Sequence, residues 1–209
     1  MANFGNVARL VMACAGLVGL AGCQDSAPVT PEPPFSQEAT AFVDNFAELE
    51  SRFSTTTAAM PTSGTASFQG QSGLVLTSAG GDTFLLLGDA AMLADFQSAT
   101  LDGTMGSFRG VMLPGGTGPA TADIPYSGTI LLQGGDIGFL RANDFFGGFD
   151  GTLTGGGNAI FVTGGIYGEF KGTPIRGIIG SASPGGLTPT SGTINGVAAN
   201  EIYLDFWAK

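Results

Sequence analysis

Two periods divide this chain. Between residues 35 and 53, Phe42, Phe46, Leu49 and Phe53 recur at steps of four, three and four, which is the spacing of one helical stripe. Ser36 stands where it can cap the first turn, and Glu38 lies where negative charge suits the helix dipole. Asp44, Glu48 and Glu50 fall largely outside the stripe. The pattern predicts one amphipathic helix, a unit over 35–54, that must lie on something. The outside or one end of a neighbouring domain would serve, and so would a groove on a partner protein. Residues 55–61, ending in Pro61, break it.

From residue 63 the period becomes two. In 63–76, Ala66, Phe68, Leu74 and Leu76 share one face, while Thr65, Ser67, Gln69 and Gln71 take the other. In 83–96 the alternation weakens. Phe84, Leu86, Ala90, Met92, Ala94 and Phe96 form one side, yet Leu85, Leu87 and Leu93 join Asp89 and Asp95 on the other. That strand reads as covered on both faces, and the helical stripe is the candidate cover. Further strands are expected at 99–108, 126–133, 144–153, 159–170, 174–181 and 194–207. Short, regularly punctuated strands predict an all-β class: a single eight-stranded antiparallel β-barrel over 60–209, preceded by one amphipathic helix.

A tripeptide with Gly at its centre and Thr at its end recurs at residues 63–65, 102–104, 127–129, 150–152 and 191–193. A glycine inside a strand marks a bulge, a bend or a close backbone approach, as tightly coiled strands require. Gly80-Gly81-Asp82, Gly134-Gly135-Asp136 and the run from Gly155 to Asn158 read as hairpin turns.

Ahead of the helix the chain reads as delivery apparatus. Arg9 precedes an apolar run, Leu10 to Leu20, that is short for a membrane span, so 1–22 is expected to be a secretory signal. The run closes in Leu20-Ala21-Gly22-Cys23, which resembles the lipobox of bacterial lipoproteins. That resemblance implies cleavage between Gly22 and Cys23 and acylation of the Cys23 thiol. Gln24 after it implies outer-membrane sorting. Residues 23–34 then form the lipidated end and a tether whose four prolines favour extended chain. Cys14 leaves with the signal, so no intramolecular disulfide is expected.

Within the barrel stretch, Met60-Pro61-Thr62-Ser63-Gly64-Thr65-Ala66, Gly88-Asp89-Ala90 and Gly164-Gly165-Ile166-Tyr167-Gly168 occur in that order. They resemble the barrel of the transferrin-binding protein B family of surface lipoproteins over roughly residues 60 to 207. Ile166 replaces the family's usual Phe, and Glu169-Phe170-Lys171-Gly172 follows where the family often has Pro and an acidic patch. There is room for one barrel and none for the family's handle domain. The resemblance implies a fold and a lipid-anchored habit, and it transfers no binding residue.

Charge and missing chemistry narrow the function. The formal net charge is −10. Without Arg9, six basic residues face 17 acidic ones, which opposes nucleic acid and anionic lipid headgroups. The chain has no histidine, so the Ser-His-Asp arrangement and imidazole ligation of metal or haem are absent; haem would need Met or Tyr. The carboxylate pairs Asp144/Asp150 and Asp89/Asp95 are the candidates for glycosidase-type acid–base work, against a solvated or turn-stabilising role. Phe145, Phe146 and Phe149 with Tyr167 and Trp207 are candidates to line an apolar pocket, or to form core. The irregular stretch 113–125 is the candidate contact loop. The expectation is a non-enzymatic outer-membrane lipoprotein, without cofactor or metal, that binds a protein or an iron- or haem-bearing ligand. A carrier of a small apolar ligand and a purely structural envelope lipoprotein are the alternatives.

Overall fold

A computed structural model of the chain describes residues 34–209; the signal, Cys23 and the tether lie outside the described residues. Helix α1 (Phe35–Ser51) is followed by β1 (Thr65–Thr77), β2 (Thr83–Asp95), β3 (Thr100–Leu113), β4 (Ile124–Pro125), β5 (Ser127–Ile137), β6 (Asp144–Gly155), β7 (Asn158–Lys171), β8 (Gly177–Ala182), β9 (Ser191–Ile194), β10 (Val197–Ala198) and β11 (Glu201–Ala208). All pairings are antiparallel. Following them round gives β7-β6-β5-β3-β2-β1-β11-β8, and β8 pairs back onto β7. The eight-stranded barrel is therefore closed, with β1 joined to β11 from Thr77↔Glu201 to Gly70↔Ala208.

Alternation sends one set of side chains inward. Eight phenylalanines (Phe68, Phe84, Phe96, Phe108, Phe145, Phe149, Phe170 and Phe206) share the interior with Leu74, Leu76, Leu86, Met92, Met105, Ile130 and Ile166. Phe170 is the hub of a ring cluster, its centroid 6.1 Å from Phe68, 5.8 Å from Phe96 and 6.0 Å from Phe145. Small residues make room for these rings. A Cβ on Gly168 would fall 2.2 Å from Phe145, and one on Gly180 would fall 2.3 Å from Phe206. Gly168 and Gly180 are direct partners across β7 and β8.

The tripeptide glycines do what the sequence anticipates at close range. Gly128 has φ +116°, and a Cβ there would lie 2.0 Å from the Thr152 carbonyl oxygen. Gly103 sits where the β3–β5 register shifts.

Helix α1 lies against the outside of the wall. Phe35, Ala39, Phe42, Phe46 and Leu49 are buried on Val75 of β1, Leu85 and Leu87 of β2, Val111 and Leu113 of β3 and Ile179 of β8. The second apolar face of β2 is thus accounted for, except Leu93, which remains 49% exposed beyond the helix. Each buried Phe or Leu contributes about 1.5–3 kcal/mol of transfer free energy. The helix begins where Glu38 meets Arg109 (3.4 Å), and Arg109 in turn meets Asp123 (2.8 Å). It ends where Glu48 pairs with Lys209 and Arg52.

Several sequence expectations need correction. Pro34, already extended at ψ 144°, takes the N-cap position without a side-chain bond; Ser36 is inside the first turn, where its carbonyl accepts the Thr40 hydroxyl. The helix stops at Ser51 because Arg52 is extended, so Phe53 leaves the stripe and is 93% exposed. Gly134-Gly135-Asp136 is a bulge within β5, and the β5–β6 turn comes later, at 138–143. The expected last strand over 194–207 is broken by an Asn195-Gly196 turn into the β9–β10 hairpin and β11. The turns at 78–82 and 155–158 stand as anticipated, the latter with Gly156 and Gly157 both at positive φ.

Phe42 is the helix's largest fully buried side chain, its ring 3.0 Å from the ideal Cβ position of Gly73. Phe42→Ala is expected to cost about 3–5 kcal/mol. Urea unfolding followed by the fluorescence of Trp207, which packs beside this cluster, checks it; an unchanged midpoint would mean that the helix adds nothing to the fold.

Candidate binding surfaces

A barrel can bind within its lumen or on its surface. Here the lumen is packed: Phe108, Phe145, Phe170 and Phe206, with Leu74, Leu76, Leu86 and Met92, are all under 2% exposed or nearly so. An apolar carrier needs an open interior, and these side chains fill it. Phe145 and Phe149 belong to this core, whereas Phe146, Tyr167 and Trp207 sit on strand positions facing the other way. The five aromatics considered as a pocket lining are therefore split between the two sides of the wall.

Outside, the wall is polar. Thr65, Ser67 and Gln69 of β1, Asp102 and Thr104 of β3, Thr129 and Gln133 of β5, and Asp150, Thr152 and Thr154 of β6 face solvent. A barrel crossing a bilayer has the opposite arrangement, an apolar belt outward and polar residues inward. On β1, β2, β3 and β5, beyond the sector that the helix covers, Ser67, Gln69, Leu93, Asp102, Thr104 and Gln133 surround a shallow hollow of about 420 Å³.

A smaller cleft, about 70 Å³, lies beside the helix end between Glu50, Tyr167, Glu169, Lys171 and Ser181, over Gly168, Ile179 and Gly180. Burial opposes ionisation of Glu169, but the Ser54 hydroxyl (2.7 Å) and the Lys171 ammonium (3.2 Å) outweigh it and hold the carboxyl below its ordinary value. The Tyr167 phenol is pushed up to about 12 by desolvation and by the Asp144 carboxylate it donates to at 2.9 Å. Nearby, Ser181 donates to Asp205. Asp205 keeps part of its surface at the edge of the helix–barrel seam, yet desolvation, reinforced by the charge of Glu50, pushes its carboxyl up to about 7. Sequence reasoning missed Asp205. It is one acidic residue among 17, and only the helix lying across β11 and β8 makes it unusual.

The carboxylate pairs do not form acid–base dyads. Asp144 is wholly buried and committed, its oxygens accepting the amides of Leu140 (3.0 Å) and Arg141 (2.9 Å) as well as Tyr167. Asp150 is exposed farther along the same strand. Asp95 accepts the amides of Gln97 (2.9 Å) and Ser98 (3.2 Å) in a turn, and Asp89 is solvated mid-strand. Among the described residues no group of three or more Asp, Glu, His or Cys is placed to hold a metal. The stretch 113–125 is less free than its composition suggests. Thr121 exchanges bonds with Met112, Asp123 holds Arg109, and Ile124–Pro125 pairs with β3.

Gly22 and Cys23 lie outside the described residues. No protein-family model, curated protein or solved structure matches the chain.

Asp205 gives a pH dependence of defined sign. Its folded pKa, about 7, lies above its ordinary 3.8, so the unfolded chain releases this proton first as pH rises. The stability it contributes is complete below pH 4 and is lost as pH climbs to about 7. Asp205→Asn is expected to flatten this decline and to exceed the parent in stability at pH 8. Denaturation midpoints measured from pH 4 to 8 check it, and parallel curves for the two proteins would refute the assignment.

Proposed function

We propose that this protein is an outer-membrane lipoprotein, held by an acylated Cys23 and a proline-rich tether, whose barrel is a non-enzymatic binding module resembling that of the transferrin-binding protein B family. Its role is capture of a host or environmental protein, or of an iron- or haem-bearing ligand. The observation that supports this reading best is the closed barrel with a filled interior and a polar wall. Such an object is rigid and water-facing, so recognition falls to its outer surface and rims. The same filled interior argues against a carrier of small apolar ligands. The absence of histidine and the commitment of Asp144 and Asp95 to turns favour binding over catalysis.

Two measurements test this. Cys23→Ser should abolish acylation, seen as loss of the lipid mass from the amino-terminal peptide, and should shift the protein from the membrane to the soluble fraction; a variant that stays with the membrane removes the anchor from this account. Residues 35–209, immobilised and exposed to host fluids, should retain a specific protein or iron-bearing ligand, identified by mass spectrometry and confirmed by a saturable isotherm.

A further inference from the structure

Beyond the helix, the ladder register lays the outer wall out as a grid. One row runs Ser67, Leu93 and Asp102 across β1, β2 and β3. The next runs Gln69, Ala91, Thr104, Leu131 and Asp150 from β1 to β6. Asp89, opposite Gly106, lies on the row beyond, and Asp95 and Asp136 flank Thr100 at the lower end. Asp89, Asp102 and Asp150 are exposed, and Leu93 is the apolar residue that the helix leaves bare. The hollow of about 420 Å³ lies over the first two rows, with Ala91, Met92, Gly103 and Leu132 in its floor. It opens where the β3–β5 ladder shifts register between Leu101 and Gly103, and where Asp102 accepts the Gly134 amide at 3.0 Å. A bulge of this kind interrupts the pairing and re-aims a side chain.

The charges of this wall have one sign. β1, β2, β5 and β6 carry no Lys or Arg. The one base of β3, Arg109, lies past the β2–β3 register shift, against Glu38 of the helix and Asp123. Arg141, in the turn before β6, is the nearest other base along the chain, and Asp150 stands about 20 Å up that strand from its start. An apolar spot ringed by polar side chains has the anatomy of a protein–protein contact. The carboxylates then select the partner. Strand spacing and rise put Asp102 about 12 Å from Asp150 and about 14 Å from Asp89. No single cation spans such gaps, and a shallow hollow does not enclose a small molecule. A protein surface with several Lys or Arg side chains does span them, whereas a neutral or acidic one would leave these carboxylates uncompensated.

We propose that this wall is the recognition face of the barrel and that its partner is a basic protein surface. An apolar side chain or aliphatic stem of that surface sits on Leu93 in the hollow, and its Lys or Arg side chains meet Asp89, Asp102 and Asp150.

This face deepens the binding-module reading above, and the two fail separately. A phage-displayed library of random peptides is selected on the full acylated chain held in phosphatidylcholine nanodiscs. Enrichment of peptides with two or more Lys or Arg beside an apolar residue is expected, with binding that weakens as salt rises. Leu93→Arg, at an exposed position, should lower the affinity of those peptides by about tenfold or more, and Asp102→Asn with Asp150→Asn should do the same. Asp44→Asn with Glu201→Gln removes equal charge from the helix and from β11, and should change the affinity by less than about twofold; this separates a specific face from general attraction to an acidic protein. Urea midpoints matching the parent verify that each variant is folded. Enriched peptides without Lys or Arg, an empty selection, or equal losses for the wall pair and the control pair would each overturn the proposal. The binding-module reading is decided apart from this, by capture from host fluids: a ligand held as well by Leu93→Arg as by the parent keeps that reading and removes this face.

Discussion

Closure of this barrel depends on an exchange of volume between aromatic rings and the absence of side chains. The wall is sealed where β8 lies between β7 and β11, and there Gly168 faces Gly180 across the ladder. The rings of Phe145 and Phe206 occupy the space that two Cβ atoms would need. Phe206 stacks on Phe145, and Phe145 meets Phe170, which meets Phe68 and Phe96. A single cluster therefore ties the sealing strands to β1 and to the turn after β2. Because interiors pack at crystalline density, even one methyl at either glycine would have to displace a ring that several strands share.

The same logic organises the outside. A water-facing barrel needs only one apolar side, and most of this wall conforms. The exception is the sector of β1, β2, β3 and β8 that carries Val75, Leu85, Leu87, Val111, Leu113 and Ile179, and α1 covers it. The helix is thus part of the fold's solubility as much as its stability. Its covering brings a cost at the seam, where Asp205 sits beside Glu50 in surroundings that disfavour charge.

Much of this was legible from the chain because the period of apolar residues changes sharply at residue 63, and the doubly apolar β2 announced its cover. The eight-stranded closed barrel follows from alternation and spacing alone. What was hidden depended on partners distant in sequence. The Asn195-Gly196 turn looked like strand because Ile194 and Val197 flank it, and only pairing with β7 shows that it is a hairpin. Gly134-Gly135 has the composition of a turn, yet β5 runs through it as a bulge because β3 shifts register alongside. Phe53 fits the helical stripe by number but follows an extended Arg52. Asp144 was legible as a turn stabiliser set against an acid–base role, and only the folded chain shows that the turn it clasps is 138–143.

The pairing of β1 with β11 links nearly the first strand residue to nearly the last. A ribbon of this kind can form its consecutive hairpins early, but the pairing that closes it spans nearly its entire length, and such long-range contacts form slowly. A growing polypeptide of this kind stays open until its final segment emerges. Its neighbours must tolerate an unsealed row of backbone amides for all of that interval, and the sparing use of long apolar runs in β5 and β6, where Gly and Thr interrupt them, is suited to surviving it.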